Sequence, residues 1–208
     1  MDVQGTVALL TGTKRIGAVV AAALAARGAH VALAYGRSRR EAEAAADAVR
    51  QAGSRAEVFQ ADLASPPACA ALIEQAVSAF GRLDILVNMA SVYVNRPLAD
   101  LGVDDWDAAL HVDLRASFLC AQAAIPHMRR QGGGRIINFS DWVAASGRPR
   151  YTGYLPYYVA KAGVKALSEA LALELARDNI LVNTIAPGPI VAPPGTTDEE
   201  YRAVEAAT

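Results

Sequence analysis

Tyr157 and Lys161 stand four residues apart in the run Tyr157-Tyr158-Val159-Ala160-Lys161. On a helix that spacing puts both side chains on one face, with Cβ atoms about 5–6 Å apart. A phenol starts from a pKa of about 10, and a neighbouring ammonium favours the phenolate, so the spacing predicts a tyrosine of lowered pKa. Such a tyrosine passes a proton to a developing alkoxide or amide near neutral pH. The same pair on an exposed helix is a plain surface contact, and spacing alone does not separate the two.

A second group lies near the amino terminus. Thr11-Gly12-Thr13-Lys14-Arg15-Ile16-Gly17 falls between an apolar run and a helical pattern. Glycines at a strand-to-helix turn let the backbone approach a pyrophosphate, and the helix start supplies free N–H groups and a positive dipole. The turn opens a βαβ unit whose second strand ends at Tyr35 and runs into Gly36-Arg37-Ser38. An acid there would bond the ribose hydroxyls and repel a 2′-phosphate. Arg37 and Ser38 instead offer a cation and a hydroxyl donor, which predicts NADPH over NADH. Ser38 is equally placed to cap the helix that follows.

The elements that must position these groups are legible as short β-branched runs alternating with longer Ala-rich helical patterns. Strands are expected over 6–10, 30–35, 56–60, 85–88, 134–139 and 181–186, and helices over 16–27, 39–51, 66–80, 103–130 and 157–177. Several strands are almost continuously apolar, as strands covered on both faces must be. The fold class is therefore α/β: a Rossmann-type, doubly wound parallel sheet of six strands in a three-layer α/β/α arrangement. Gly28, Gly53 and Gly81 each follow a helix as left-handed terminators, and Gly132-Gly133-Gly134 reads as a helix-to-strand turn. No repeat or linker interrupts the chain, so residues 1–208 read as one domain, with the Pro/Gly-rich stretch 187–195 as a loop over the site.

Composition narrows the classes further. With 208 residues, 53% of them hydrophobic, and a net charge of −1, the chain has ample core and no electrostatic reason to seek nucleic acid or an anionic membrane. Cys69 and Cys120 are too few for a disulfide framework or a thiolate metal cage, and both lie in Ala/Leu-rich helical stretches. Buried free thiols in a reducing cytoplasm are expected. The first residues lack a signal-peptide pattern, and no apolar run spans a bilayer.

Taken in order, the motifs resemble the short-chain dehydrogenase/reductase family along essentially the whole chain. They are the 11–17 turn, Asp62-Leu63, Asn88-Met89-Ala90-Ser91, the run 135–141 ending in Ser140-Asp141, Tyr157 with Lys161, and Pro187-Gly188. The resemblance implies a cofactor held by Gly12, Arg15, Ile16, Gly17, Arg37, Ser38, Asp62, Leu63, Asn88, Ala90, Ser140, Tyr157, Lys161, Pro187, Gly188 and Ile190. In particular it places Asp62 and Leu63 at the adenine, Lys161 on the nicotinamide ribose, and 187–190 at the carboxamide. Tyr157 would supply the proton while hydride leaves the nicotinamide.

Departures from the family pattern carry further expectations. Arg15 takes the middle-glycine position, and the turn is one residue shorter than usual. Asp141 stands where the catalytic serine is usual, Asp113 where an asparagine holds a relay water, and Met89 where a second asparagine is usual. Arg15, the Arg37-Ser38 pair and Asp141 are similar to the pteridine reductase and dihydromonapterin reductase branch, which reduces pterin rings with NADPH. That branch implies substrate contacts from Ser91, Tyr93 and Asp141, with Trp142 nearby. A carboxyl bonds a pterin's amino and ring N–H groups, which a serine hydroxyl does only in part, and Tyr93 offers a face for a flat heterocycle.

Plainer roles stand beside these. Asp141 also suits a turn cap, Tyr93 loop packing, and Asp113 a bond to Lys161 or a water; two carboxylates at one site raise at least one pKa. Trp106 reads as core, His111 and His127 as core or interface positions, and no metal set is spaced for binding. The family usually continues into another helix and a seventh strand. After a helix expected over 197–206 the sequence stops at Thr208; if the chain is complete there, an uncovered edge on the sixth strand and the loss of much of the usual homo-oligomer interface are expected, and truncation is the other reading. The expected function is NADPH-dependent reduction of a small carbonyl or C=N substrate. A general ketone or 3-oxoacyl reductase is the nearest alternative, and a catalytically weak NADP-binding sensor or scaffold the next.

Overall fold

Six short apolar segments pair side by side because their backbone groups find no other partners once helices cover both faces. They are β1 (Val7–Leu10), β2 (His30–Tyr35), β3 (Ala56–Gln60), β4 (Ile85–Asn88), β5 (Gly134–Phe139) and β6 (Ile180–Ile185). Every pairing is parallel, in the order β3-β2-β1-β4-β5-β6. The order reverses between β1 and β4, and a crevice at the carboxyl ends of those strands is where such sheets bind ligands. The computed structural model describes residues 2–149, 152–190, 197–199 and 202.

The helices are α1 (Ile16–Ala25), α2 (Arg39–Gln51), α3 (Pro66–Phe80), α4 (Val103–Ala109), α5 (Ala116–Arg130), α6 (Trp142–Ala145) and α7 (Leu155–Leu175). Ala21, Ala25, Ala45, Ala46 and Val49 pack α1 and α2 onto one sheet face with Leu10, Val31, Leu33 and Val87. On the other face Leu72, Ile73, Ala121, Ala124 and Met128 of α3 and α5 meet Leu9, Leu86, Ile136 and Ile180. The sequence reading of a doubly wound sheet holds, with strand limits displaced by at most one residue. Gly133 shows why the triplet after α5 is glycine: its φ is 146°, and a Cβ there would stand 2.7 Å from the Asn179 carbonyl.

Two helical expectations need correction. The single helix over 103–130 is divided by a widened π turn, Leu110–Arg115, whose slack is taken up by Ser117 Oγ donating to the Asp113 carbonyl at 2.9 Å. The helix expected over 157–177 begins two residues earlier, at Leu155, with proline in its first turn. His127 lies on α5 and bonds Glu74 on α3 at 2.8 Å. Cys69 and Cys120 are buried and free. The helix expected over 197–206 and the loop beyond 190 fall largely outside the described residues. Among the described residues no helix is long and apolar enough to cross a membrane, and no three residues group as metal ligands.

Candidate active site

The reversal point is tied by one threonine. Thr11 N donates to the Val87 carbonyl (3.0 Å), and Thr11 Oγ1 accepts from Met89 N (3.1 Å) and Ala90 N (3.3 Å), clamping the ends of β1 and β4 together. At Gly17 a Cβ would lie 2.0 Å from the Gly12 carbonyl oxygen, so only glycine lets α1 rest on the turn. Arg15 holds φ 51°, ψ −109°, a region that favours glycine, at the position the family resemblance gives to a glycine. Such backbone strain costs about 1–3 kcal/mol and persists where surrounding structure enforces it.

Free donors at the ends of these strands suit a dinucleotide. At the end of β2 the Arg37 guanidinium is exposed and bonded to none of the described residues. Ser38 occupies the N-cap position of α2, yet its hydroxyl makes no capping bond; both donors stay available to an anion. Asp62 accepts from Ala64 N (3.0 Å), Leu63 is buried, and Arg115 reaches over to the Ala64 carbonyl (2.5 Å) while its Nε stays buried and unbonded. With Gly12, Ile16 and Gly17 at the start of α1, this edge fits a dinucleotide phosphate. Asn88 turns inward instead: its Nδ2 donates to Asn138 Oδ1 (2.9 Å), and Asn138 in turn donates to Ser168 Oγ (2.8 Å). That buried chain anchors α7 to the sheet.

Tyr157 and Lys161 do share one face of α7, with the Lys161 nitrogen 5.6 Å from the tyrosine ring centre. The ammonium is committed elsewhere, donating to the Phe139 carbonyl (2.9 Å) and pairing with Asp113 Oδ1 (3.2 Å). The Tyr157 hydroxyl donates to Asp141 Oδ2 at 3.0 Å. Burial, followed by the Asp141 charge and bond, therefore holds this phenol above its ordinary value. The expected lowering by Lys161 is overturned, because an anion touches the hydroxyl and the cation is balanced by another anion.

Asp113 is the fully buried hub of a second cluster. Ser91 Oγ donates to its Oδ1 (2.5 Å), and Val92 N donates to its Oδ2 (2.8 Å). Burial pushes its carboxyl above the usual range, against the opposing pull of Lys161, Ser91 and Val92. Asp141 takes the capping role anticipated for it, Oδ1 accepting from Val143 N (2.8 Å) at the start of α6, while its Oδ2 meets Tyr157, a contact the sequence did not suggest.

In front of Tyr157 and Asp141 opens a cavity of about 570 Å³, lined chiefly by Pro97, Leu98, Val143, Ala144, Leu155, Tyr154 and Tyr158. Ser91, Tyr93 and Trp142 are not among its described lining residues. Ser91 is turned to Asp113; Tyr93 stacks on Tyr154 (centroids 4.5 Å, 18°) and meets Tyr157 edge-on (4.8 Å). Trp142 N donates to the Pro187 carbonyl (3.2 Å), and Ser140 Oγ holds the Lys161 carbonyl (2.7 Å). Beyond Pro187 and Gly188, Ile190 is 62% exposed. Sequence reasoning missed Asn138, Tyr154 and Leu98. The aromatic run 154–158 was the one available signal for Tyr154, and nothing local marks the others.

Similarities to known proteins fit this geometry. The short chain dehydrogenase family profile matches residues 6–201. The chain is 41% identical over 191 residues to the short-chain reductase protein NovJ of Streptomyces niveus, covering 91% of this chain and 71% of that one. It is 40% identical over 186 residues to the 3-oxoacyl-[acyl-carrier-protein] reductase FabG of Staphylococcus aureus, covering 89% and 74% respectively. A short chain dehydrogenase from Burkholderia cenocepacia, solved in complex with NADP, superposes with a TM-score of 0.85 at 38% identity, covering 90% of this chain and 76% of that one.

Proposed function

The chain belongs to the short-chain dehydrogenase family, and from that premise we propose that it reduces a small carbonyl or C=N substrate with NADPH. The observation that carries this reading is the meeting of Tyr157, Asp141 and an apolar cavity at the sheet edge where the glycine turn lies. NADPH, when bound, supplies the hydride. Arg37 and Ser38 take its 2′-phosphate, supported by their uncommitted donors and by the NADP found with the Burkholderia cenocepacia relative. Asp62 and Leu63 face the adenine, Ala90 and Ser140 flank the nicotinamide half, and residues 187–190 close over it.

Tyr157 delivers the proton to the atom that gains negative charge. Lys161 has three N–H donors and spends two on Phe139 and Asp113, leaving the third for a ribose hydroxyl. A pterin suits the site because Asp141 accepts paired N–H groups that a serine hydroxyl accepts only in part, and Tyr154 on the cavity wall is aromatic. A 3-oxoacyl or simple ketone substrate is favoured by the 40% identity to a protein named for that reaction and by the apolar lining. Two buried free thiols support a cytoplasmic setting. The test is NADPH oxidation with dihydrobiopterin, a quinone and an acetoacetyl thioester, with Tyr157→Phe as control. Turnover of any of the three that collapses in Tyr157→Phe supports the reading; NADPH binding with no turnover of any refutes it.

A further inference from the structure

We propose that the cavity selects a substrate carrying a protonated nitrogen next to its reducible bond, with the nitrogen on Asp141 and the apolar remainder against Leu98, Val143 and Leu155. The proposal rests on the reductase reading for its chemistry, although not for its binding. Three observations carry it. Asp141 is the one carboxylate among the described lining residues, and its Oδ2 faces the Tyr157 hydroxyl at the reacting end. Among the described residues no cation pairs with it: Arg96, also on the cavity wall, pairs with Asp105 at 3.1 Å, and Lys161 pairs with Asp113. The wall beside it is aromatic, with Tyr154, Tyr157 and Tyr158 on the lining and Tyr93 stacked behind. A carboxylate beside ring faces attracts an ammonium through a charge-assisted bond and through the ring quadrupoles.

The same carboxylate works against a neutral ketone. It points the tyrosine's O–H away from the substrate and opposes negative charge growing at a carbonyl a few ångströms away. An ammonium on Asp141 removes both obstacles, since it neutralises the anion and competes for Oδ2, releasing the Tyr157 hydroxyl to turn to the substrate. For an α-amino ketone the balance closes. The hydride equivalent forms a C–H bond at the carbonyl carbon, and the C=O π pair moves to oxygen. The Tyr157 proton ends on that oxygen, leaving an amino alcohol and oxidised dinucleotide, and Tyr157 recovers its proton from solvent. The ammonium keeps its protons throughout.

Two measurements separate this proposal from the one it rests on. In calorimetric titration without dinucleotide, phenethylammonium is expected to bind at least about tenfold tighter than phenethyl alcohol, a difference of about 1.4 kcal/mol. Asp141→Asn, which keeps a capping oxygen for α6, should erase that preference. Equal binding of the two probes to the wild-type protein, or no binding of either, overturns the proposal without reliance on any variant. With NADPH, α-aminoacetophenone should be reduced at least about tenfold more efficiently than acetophenone at neutral pH. Acetophenone reduced as well as the amino ketone sinks the proposal while the reductase reading stands. Selective ammonium binding with no reduction of either ketone upholds the cation site and overturns its coupling to reduction, and the reductase reading is then decided by dihydrobiopterin, the quinone and the thioester.

Discussion

Lys161 and Asp113 form an ion pair 3.2 Å long with side chains 4% and 0% exposed. Removing two charges from water costs several kcal/mol each, and the pair is tolerable because further hydrogen bonds hold both partners in place. Lys161 also bonds Phe139, and Asp113 also bonds Ser91 and Val92. The pair thus joins α7, β5, the π turn and the segment after β4 at one point. It also takes from Tyr157 the cation that the helical spacing alone assigns to it.

Removing one partner leaves the other charge buried. Asp113→Ala is expected to lower the free energy of unfolding by about 3 kcal/mol at neutral pH. In a double-mutant cycle Asp113→Ala with Lys161→Met should lose less than the sum of the single changes. Urea unfolding of the four proteins measures the coupling, and strict additivity would mean the ion pair contributes nothing.

The raised phenol of Tyr157 makes alkaline stability a readout. Its folded pKa lies above the unfolded value of about 10, so the folded state holds the proton more tightly. Stability tied to this group is complete below pH of about 10 and falls as the pH rises beyond it. Asp141→Asn removes the neighbouring anion and should shrink that alkaline decline, as should Tyr157→Phe. Urea midpoints compared between about pH 9 and about pH 11 decide it.

Tyr157→Phe keeps the ring packed against Tyr93 and deletes only the hydroxyl. Turnover is expected to fall by about 10²–10⁴, with dinucleotide affinity retained. Affinity lost in parallel with the rate would point to a binding role instead.

Arg37→Glu replaces a free cation at the end of β2 with an acid. NADPH binding should weaken by about tenfold or more, and NADH should become the better ligand. Fluorescence titration with both nucleotides checks the reversal.

Gly17→Ala puts a methyl group 2.0 Å from the Gly12 carbonyl oxygen. The turn or α1 has to move, at an expected loss of about 1–3 kcal/mol. Dinucleotide affinity should fall as well, since the same turn faces the phosphates; thermal unfolding with and without NADPH reports both.

Much of this was written locally. The spans 39–51 and 66–80 match α2 and α3, because amphipathic or apolar Ala-rich runs bounded by Ser38, Pro66 and Gly81 carry their own start and stop signals. The π turn was not legible, since widening one turn changes no composition. Asp113 is turned inward there by bonds to Ser91, Val92 and Lys161, all distant in sequence.

By itself the sequence determined the doubly wound sheet, the placing of the glycine turn and Arg37-Ser38 at strand ends, and the sharing of one helical face by Tyr157 and Lys161. These follow from periodicities of two and 3.6 residues, which neighbours along the chain enforce. Which partner each reactive group meets was decided only by tertiary structure. Asp141 lies 16 residues before Tyr157, and Asp113 lies 48 before Lys161. Each carboxylate reaches its partner only because β5 and the π turn pack against α7. That packing gives the phenol an anion and the ammonium another, and so reverses the direction in which Tyr157 is tuned.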